Sequence, residues 1–197
     1  MSLSQALQAA CDLHSRLPAL RAFAPWPSDL EPAALAPAAI PAQQQVAEFA
    51  LPGTPETQPL IGTLRTAAGQ AHWAQTYTEA EVGAHFLQNY GYFELFGPAG
   101  HFRSTQLRGY IAYWGAGLRY DWHSHEAEEL YVVLGGGAEF LTQESECWLE
   151  AGGTRLHGGW QPHAMNTGAE PVLTYVLWRG AGLAGLPLMG GKRTAAA

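Results

Sequence analysis

Apolar residues recur at helical spacing near the start of the chain and at strand spacing after about residue 105, and this change of period divides it. Leu3, Leu7, Ala10, His14 and Leu17 form one stripe, widened by Ala6, Cys11 and Leu13, which predicts an amphipathic helix over residues 3–17. Pro18 should end or kink it. Pro25-Trp26-Pro27 forbids regular structure, and Ser28-Asp29-Leu30-Glu31 has the capping-box pattern of a short helix limited by Pro37 and Pro41. Gln43–Phe49 reads as helical and Leu51–Glu56 as a turn, while the rest of 42–75 has no clear period. Thr78 and Glu81 make another capping box. Val82, Phe86 and Tyr90 follow at fourfold spacing with Gly91 placed as the C-terminal glycine, so a helix is expected from Thr78 to Tyr90.

Beyond an apolar passage at Phe93–Phe102, short β-like runs take over: Leu107–Trp114, Asp121–His125, Glu129–Leu134, Gly137–Thr142, Glu146–Leu149, Thr154–Gly158, His163–Thr167 and Val172–Trp178. Eight short runs broken by Gly-rich and polar turns predict an antiparallel barrel or double-sheet jelly roll. The fold class expected is α+β, mainly β. A helical extension over 1–104 packs on a barrel over 105–180, and 181–197 forms an irregular strap and tail of the same compact domain.

Composition narrows the classes. The chain has 197 residues, 47% hydrophobic and 14% charged, with a net charge of −7, and its ten Lys and Arg are scattered. That is a globular protein with no basic patch for nucleic acid. Its N-terminus has no basic region ahead of an uninterrupted apolar run, which argues against a signal peptide or membrane span and for a cytoplasmic protein, monomeric or homodimeric. Cys11 and Cys147 lack any C-x-x-C neighbour and are expected as reduced thiols, with a disulfide between them left open.

The candidate chemistry lies in Gly117–Gly136. His123 and His125 are two apart, so on a strand both imidazoles share a side. After the polar turn Glu126-Ala127-Glu128, a chain that folds back brings Glu129 to the same place, with Tyr131 on its face. The second cluster of unusual residues, Gly152–Asn166, offers His163 as a fourth ligand. Three imidazoles and a carboxylate suit one divalent transition metal ion (Fe, Mn, Zn, Co or Ni), and the missing thiolates argue against a closed structural zinc site. His14, His72, His85, His101 and His157 have no such partners, with His101 and His157 the ones expected nearer a pocket.

Gly117, His123, His125, Glu129 and Gly136 resemble the first motif of the cupins, G-x5-H-x-H-x3/4-E-x6-G, at every fixed position. The second motif, G-x5-P-x-G-x2-H-x3-N, is met by Gly152 and His163. Gly158 stands where Pro is usual and Trp160 where Gly is usual, and Asn166 falls one residue early. Tyr120-x-Trp122-His123-x-His125-x-Ala127-Glu128-Glu129-x-Tyr131, behind a long helical extension, further resembles the cupin-type dimethylsulfoniopropionate (DMSP) lyases.

That resemblance implies a β-elimination in which a metal polarises the substrate carboxylate, an α-proton is removed, and dimethyl sulfide leaves acrylate behind. It implies Tyr131 as the base and Tyr120 as a pocket residue; a phenol near a divalent cation has its pKa drawn down from about 10. The substrate is a zwitterionic sulfonium carboxylate, so its cationic end calls for aromatic faces and no competing Lys or Arg. Trp178 and Tyr120 are the first choices, ahead of Trp122, Trp160, Tyr110 and Tyr113. Two other readings stay open at this point: another metal-dependent cupin enzyme, a dioxygenase or an isomerase of a small acid or sugar, and a non-enzymatic metal- or ligand-binding sensor.

Overall fold

The computed structural model describes residues 2–190. Helices come first: α1 Leu3–Arg16, α2 Pro18–Phe23, α3 Pro41–Ala47, α4 Gln58–Ala67, α5 Glu79–Val82 and α6 Ala84–Gln88, with the two-residue strand β1 Glu31–Pro32 among them. Pro18 and Pro41 are each the first residue of a helix, where a missing N–H costs nothing; α1 ends at Arg16 ahead of Pro18, as expected, and Pro18 opens α2 at once. The helix expected at Ser28–Glu31 does not form. Asp29 spends its carboxylate on distant donors, the Ser104 hydroxyl at 2.7 Å and the Thr105 N–H at 2.8 Å, and Glu31 pairs with Arg103. The Thr78–Glu81 capping box is present, but Gly83 at φ 81° splits the expected helix into α5 and α6, and Tyr90 opens a strand.

The strands are β2 Tyr90–Gly97, β3 Phe102–Arg103, β4 Arg108–Trp114, β5 Arg119–Ser124, β6 Glu128–Thr142, β7 Glu146–Glu150, β8 Thr154–His157, β9 His163–Arg179 and β10 Leu188–Met189. All eight expected runs are strand, but four of them fuse into two long strands, β6 and β9, which pair antiparallel along their whole length with register shifts around Gly135 and Gly136. The two strands therefore serve both halves of the barrel. One half runs β3-β2-β4-β9-β6-β8 and the other β7-β6-β9-β5-β10. The bend needs Gly136, at φ 75°, where a Cβ would come within 1.9 Å of the Pro171 carbonyl oxygen.

Strand alternation then sorts the side chains into two cores. Ile111 and Tyr113 of β4, Leu173, Tyr175 and Leu177 of β9, and Leu130, Val132 and Leu134 of β6 meet α1, α3 and α4 outside the barrel. Their neighbours in sequence, among them Trp114, Trp178 and Tyr131, fill the inside. The sheet reaches back into residues 1–104 through β2 and β3, so the helices flank a barrel that begins at Tyr90. Leu188 and Met189 pair with Ser124 and His123, giving the expected strap a short strand; residues 191–197 of the tail lie outside the described residues. Cys11 and Cys147 are free thiols. No helix among the described residues is long and apolar enough to cross a membrane.

Candidate metal centre and pocket

Each candidate ligand histidine is oriented by its own backbone. The Nδ1 atoms of His123, His125 and His163 lie 2.8, 2.9 and 2.8 Å from the carbonyls of Asp121, Ala127 and Gln161. A carbonyl can only accept, so Nδ1 carries the proton in all three rings and Nε2 keeps the lone pair a metal needs. Nε2 of His125 and Nε2 of His163 each lie 3.1 Å from Oε2 of Glu129. Ligand atoms of His125, Glu129 and His163 fall within 4.8 Å of one another. His123 stands beside this trio, its ring edge-on to His163 at 4.1 Å between centroids.

Glu129 is held from behind. Its Oε1 accepts the Trp178 indole N–H at 2.8 Å and the Tyr110 hydroxyl at 3.2 Å, which leaves Oε2 turned to the imidazoles. The Trp178 ring also stacks on His125 at 4.1 Å. These groups are almost fully buried, and their protonation follows from that. Burial alone would raise the Glu129 carboxyl, but His125 and His163 pull it well below the usual range. Burial pushes His123 well down, with His163 adding to the effect. For His125 burial works downward, and Glu129 beside it turns the net shift upward. A buried carboxylate facing convergent imidazole lone pairs, one of them, Nε2 of His163, without a hydrogen bond of its own, is a fit for a divalent cation.

The loop carrying His163 explains the departure from the usual motif. Trp160 stands where glycine is usual and adopts φ 59°, the left-handed conformation that favours glycine, with its N–H bonded to the His125 carbonyl at 2.6 Å. Trp160 thus holds a backbone conformation that glycine adopts freely. Trp160 itself is exposed, and Trp122 and Tyr113 lie off the pocket.

Tyr120 is brought in by a bulge. Strict alternation from His123 would turn it away, but β5 carries one extra residue between Tyr120 and His123 relative to β9, and the Tyr120 ring stacks on His123 at 4.0 Å. Its hydroxyl meets that of Tyr77, 2.6 Å away, just ahead of α5. Tyr131 lies on the same face of β6 as Glu129. Burial, and then the Glu129 charge, push its phenol well above the ordinary value.

Cross-strand register sets depth. Arg108, Trp178, Glu129 and His157 lie in one row across β4, β9, β6 and β8; Tyr110 and Tyr131 lie in the next; Trp114 lies at the far end of β4, opposite Tyr90. The pocket spans these rows, about 400 Å³ counting its mouth, with Leu186 and Pro187 of the strap at the Arg108 end. Sequence reasoning missed the contributions of Arg108, Trp114, Tyr90 and Tyr92, although residues 108, 110, 112 and 114 share a face of a run already expected to be a strand. His157, expected only as a histidine near a pocket, is fully buried, stacks on the ligand candidate His163 at 4.1 Å, and has neither ring nitrogen partnered. His101 lies in the helix-side half, accepting the His72 N–H at 2.9 Å.

The chain is similar to known proteins over most of its length. The family model for DMSP lyase matches residues 14–174. The chain is 35% identical over 169 residues to the dimethylsulfoniopropionate lyase DddQ of Ruegeria pomeroyi, covering 85% of this chain and 84% of that one. The crystal structure of DddQ from R. pomeroyi DSS-3 superposes with a TM-score of 0.89 at 33% identity, over 94% of each chain. A chain from the crystal structures of the DMSP lyases RdDddP and RnDddQII superposes with a TM-score of 0.92 at 46% identity, over 95% of this chain and 97% of that one.

Proposed function

The chain belongs to the DMSP lyase family, and we propose that it is a carbon–sulfur lyase that cleaves DMSP to dimethyl sulfide and acrylate in the pocket above His125, Glu129 and His163. The observation that carries this is the order of chemistry along the pocket: Glu129 and the Arg108 cation share the row toward the strap, a phenol lies in the next row, and aromatic faces lie beyond it, with Tyr120 reaching from them to stack on His123. DMSP has the same order, a carboxylate, an acidic carbon and a sulfonium.

His123, His125, Glu129 and His163 are the residues that would hold one divalent transition metal ion, with Fe, Mn, Zn, Co and Ni all compatible with the donors. Such an ion supplies a Lewis acid for the substrate carboxylate as negative charge builds next to it. Tyr131 takes the α-proton onto its phenolate oxygen. The C–H electron pair becomes the C=C bond of acrylate, and the C–S pair leaves with neutral dimethyl sulfide, which needs no acid. Burial and then the Glu129 charge push the phenol up, and a bound cation beside it would offset the second and favour the phenolate where the substrate is held.

The aromatic floor of Tyr90, Trp114 and Tyr120 receives the sulfonium, each face contributing about 0.5–2 kcal/mol. Trp178, expected as a sulfonium contact, is better placed as the orienter of Glu129. A small zwitterion in a cytoplasmic enzyme is the whole of this reading; no further partner is needed.

Headspace chromatography for dimethyl sulfide, with acrylate measured in parallel, tests it on protein that has been chelated and then given back each metal. Equal amounts of both products, lost on chelation and restored by metal, is the expected result. Tyr131→Phe should drop turnover by at least about a hundredfold while keeping bound metal. Wild-type turnover in that variant would remove Tyr131 as the base, and no product with any metal would end the lyase reading.

A further inference from the structure

The aromatic pocket was expected to exclude Lys and Arg, yet Arg108 lines it and is buried. Its guanidinium lies over the rings of Tyr110 and Trp178, 5.2 and 5.0 Å from their centroids, the two residues that hold Glu129. Nη1 donates to the carbonyls of Leu183 and Gly185 in the strap, at 3.1 and 3.0 Å, and Nε lies 2.9 Å from Oε2 of Glu94. Glu94 balances the charge but stands behind it. The Glu94 carboxylate also accepts the Ala99 N–H at 2.8 Å and is not among the pocket's lining residues. A ligand in the pocket therefore meets the cation first and its counter-ion second.

Along the pocket this charge sits in the same row as Trp178 and Glu129, at the opposite end of β4 from Trp114 and its partner Tyr90. The two ends differ in sign preference: at one a guanidinium beside the Glu129 carboxylate, whose charge a bound cation would offset, at the other aromatic faces. A zwitterion placed in such a field has one favoured orientation, because reversing it would set its cation against Arg108 and its carboxylate against ring faces.

We propose that Arg108 is a specificity-determining residue that fixes which way round the zwitterion lies, drawing the carboxylate to the metal end and repelling the sulfonium from it. The strap belongs to this device. Leu183 and Gly185 hold the guanidinium over the rings, and Leu186 and Pro187 line the same pocket. The inference rests on the lyase reading for the identity of the ligand, and its test separates the two.

The test uses half-ligands. Propionate carries the anionic end alone and trimethylsulfonium the cationic end alone, and each is measured as an inhibitor of DMSP cleavage by metal-loaded enzyme and directly by calorimetry. Arg108→Gln should weaken propionate at least about tenfold and leave trimethylsulfonium unchanged or tighter, and it should reduce the salt dependence of propionate binding expected of the wild type. Since Arg108→Gln leaves Glu94 buried without a counter-ion, the neutral pair Glu94→Gln/Arg108→Gln is measured beside it; the same pattern is expected there. Unchanged constants for both half-ligands in the paired variant, or equal weakening of both, would overturn the proposal and reduce Arg108 to a strut of the strap. A wild type that releases no dimethyl sulfide but binds propionate in an Arg108-dependent way would sink the lyase reading and leave this one standing.

Discussion

Glu129 shows how much of a site can depend on one carboxylate. One oxygen faces two imidazoles and the other accepts an indole N–H and a phenol O–H, so the ligand atom is aimed by groups that do not ligate. Outer hydrogen bonds of this kind commonly carry ten- to a hundredfold in metal affinity. Trp178→Phe keeps an aromatic side chain beside His125 but removes the N–H together with the second ring of the indole, and chelator competition should show roughly tenfold weaker metal binding. Unchanged affinity would return Trp178 to the role of a pocket wall. His157 makes a second test at this scale. Burial, and then the neighbouring His163, hold its pKa down at about 3, so the unfolded chain takes up its proton first. Stability is fully present above the unfolded value near 6.5 and is lost as pH falls toward 3. Glu129, also lowered, adds an acid loss at lower pH, while His125, raised, contributes the opposite way and loses its share as pH rises. Chelated protein should therefore lose stability between pH 7 and pH 5 in urea melts. His157→Phe should flatten that slope by up to about 1.4 kcal/mol per pH unit, and an unaltered slope would mean that His157 is protonated as easily folded as unfolded.

Elements were legible where one periodicity ruled and illegible where two overlapped. Val82, Phe86 and Tyr90 fit a helix, but Gly83 breaks it and Tyr90 also begins the alternation of β2, which only its pairing with Trp114 reveals. The ligands His123, His125 and Glu129 could be found because a short stretch of one hairpin carries them. Arg108 could not, and His157 could be named only as a histidine near a pocket, since what places them beside Glu129 is register across four strands. The bulge in β5 is the same lesson: alternation alone turns Tyr120 outward, and one extra residue turns it in. Glycine positions test whether the bends matter. Gly83 and Gly136 both have positive φ, yet a Cβ at Gly83 meets nothing within 4 Å, while at Gly136 it meets a backbone oxygen at 1.9 Å. Gly83→Ala should cost about 1 kcal/mol, the ordinary left-handed penalty, and Gly136→Ala at least about 3 kcal/mol, measured by urea unfolding. Similar costs would mean that the β6–β9 bend yields easily.

At the scale of the whole molecule, the question is whether the helices are a cap set on a barrel or part of what makes the barrel fold. The strands β4, β6 and β9 each give one set of alternate residues to the pocket and the other to α1, α3 and α4. Stripping the helices away would expose Leu130, Val132, Leu134, Leu173, Tyr175 and Leu177, all almost fully buried, on the outer face of the sheet that holds Glu129 and Tyr131. Burial is worth roughly 1.5–3 kcal/mol for each such side chain, and the total stability of a domain is about 5–15 kcal/mol, so the barrel has no margin to stand without its helices. Thr57, just ahead of α4, adds a polar tie, its buried hydroxyl donating to the Leu134 carbonyl at 2.8 Å. Unfolding should then be one cooperative step. Far-ultraviolet circular dichroism at 222 nm, which follows the helices, and near-ultraviolet signals of the pocket aromatics should give coincident urea transitions in the chelated protein. A helix transition at lower urea, with the aromatic signal intact, would show a barrel that holds the site by itself and would leave the helices free to serve as a separable lid.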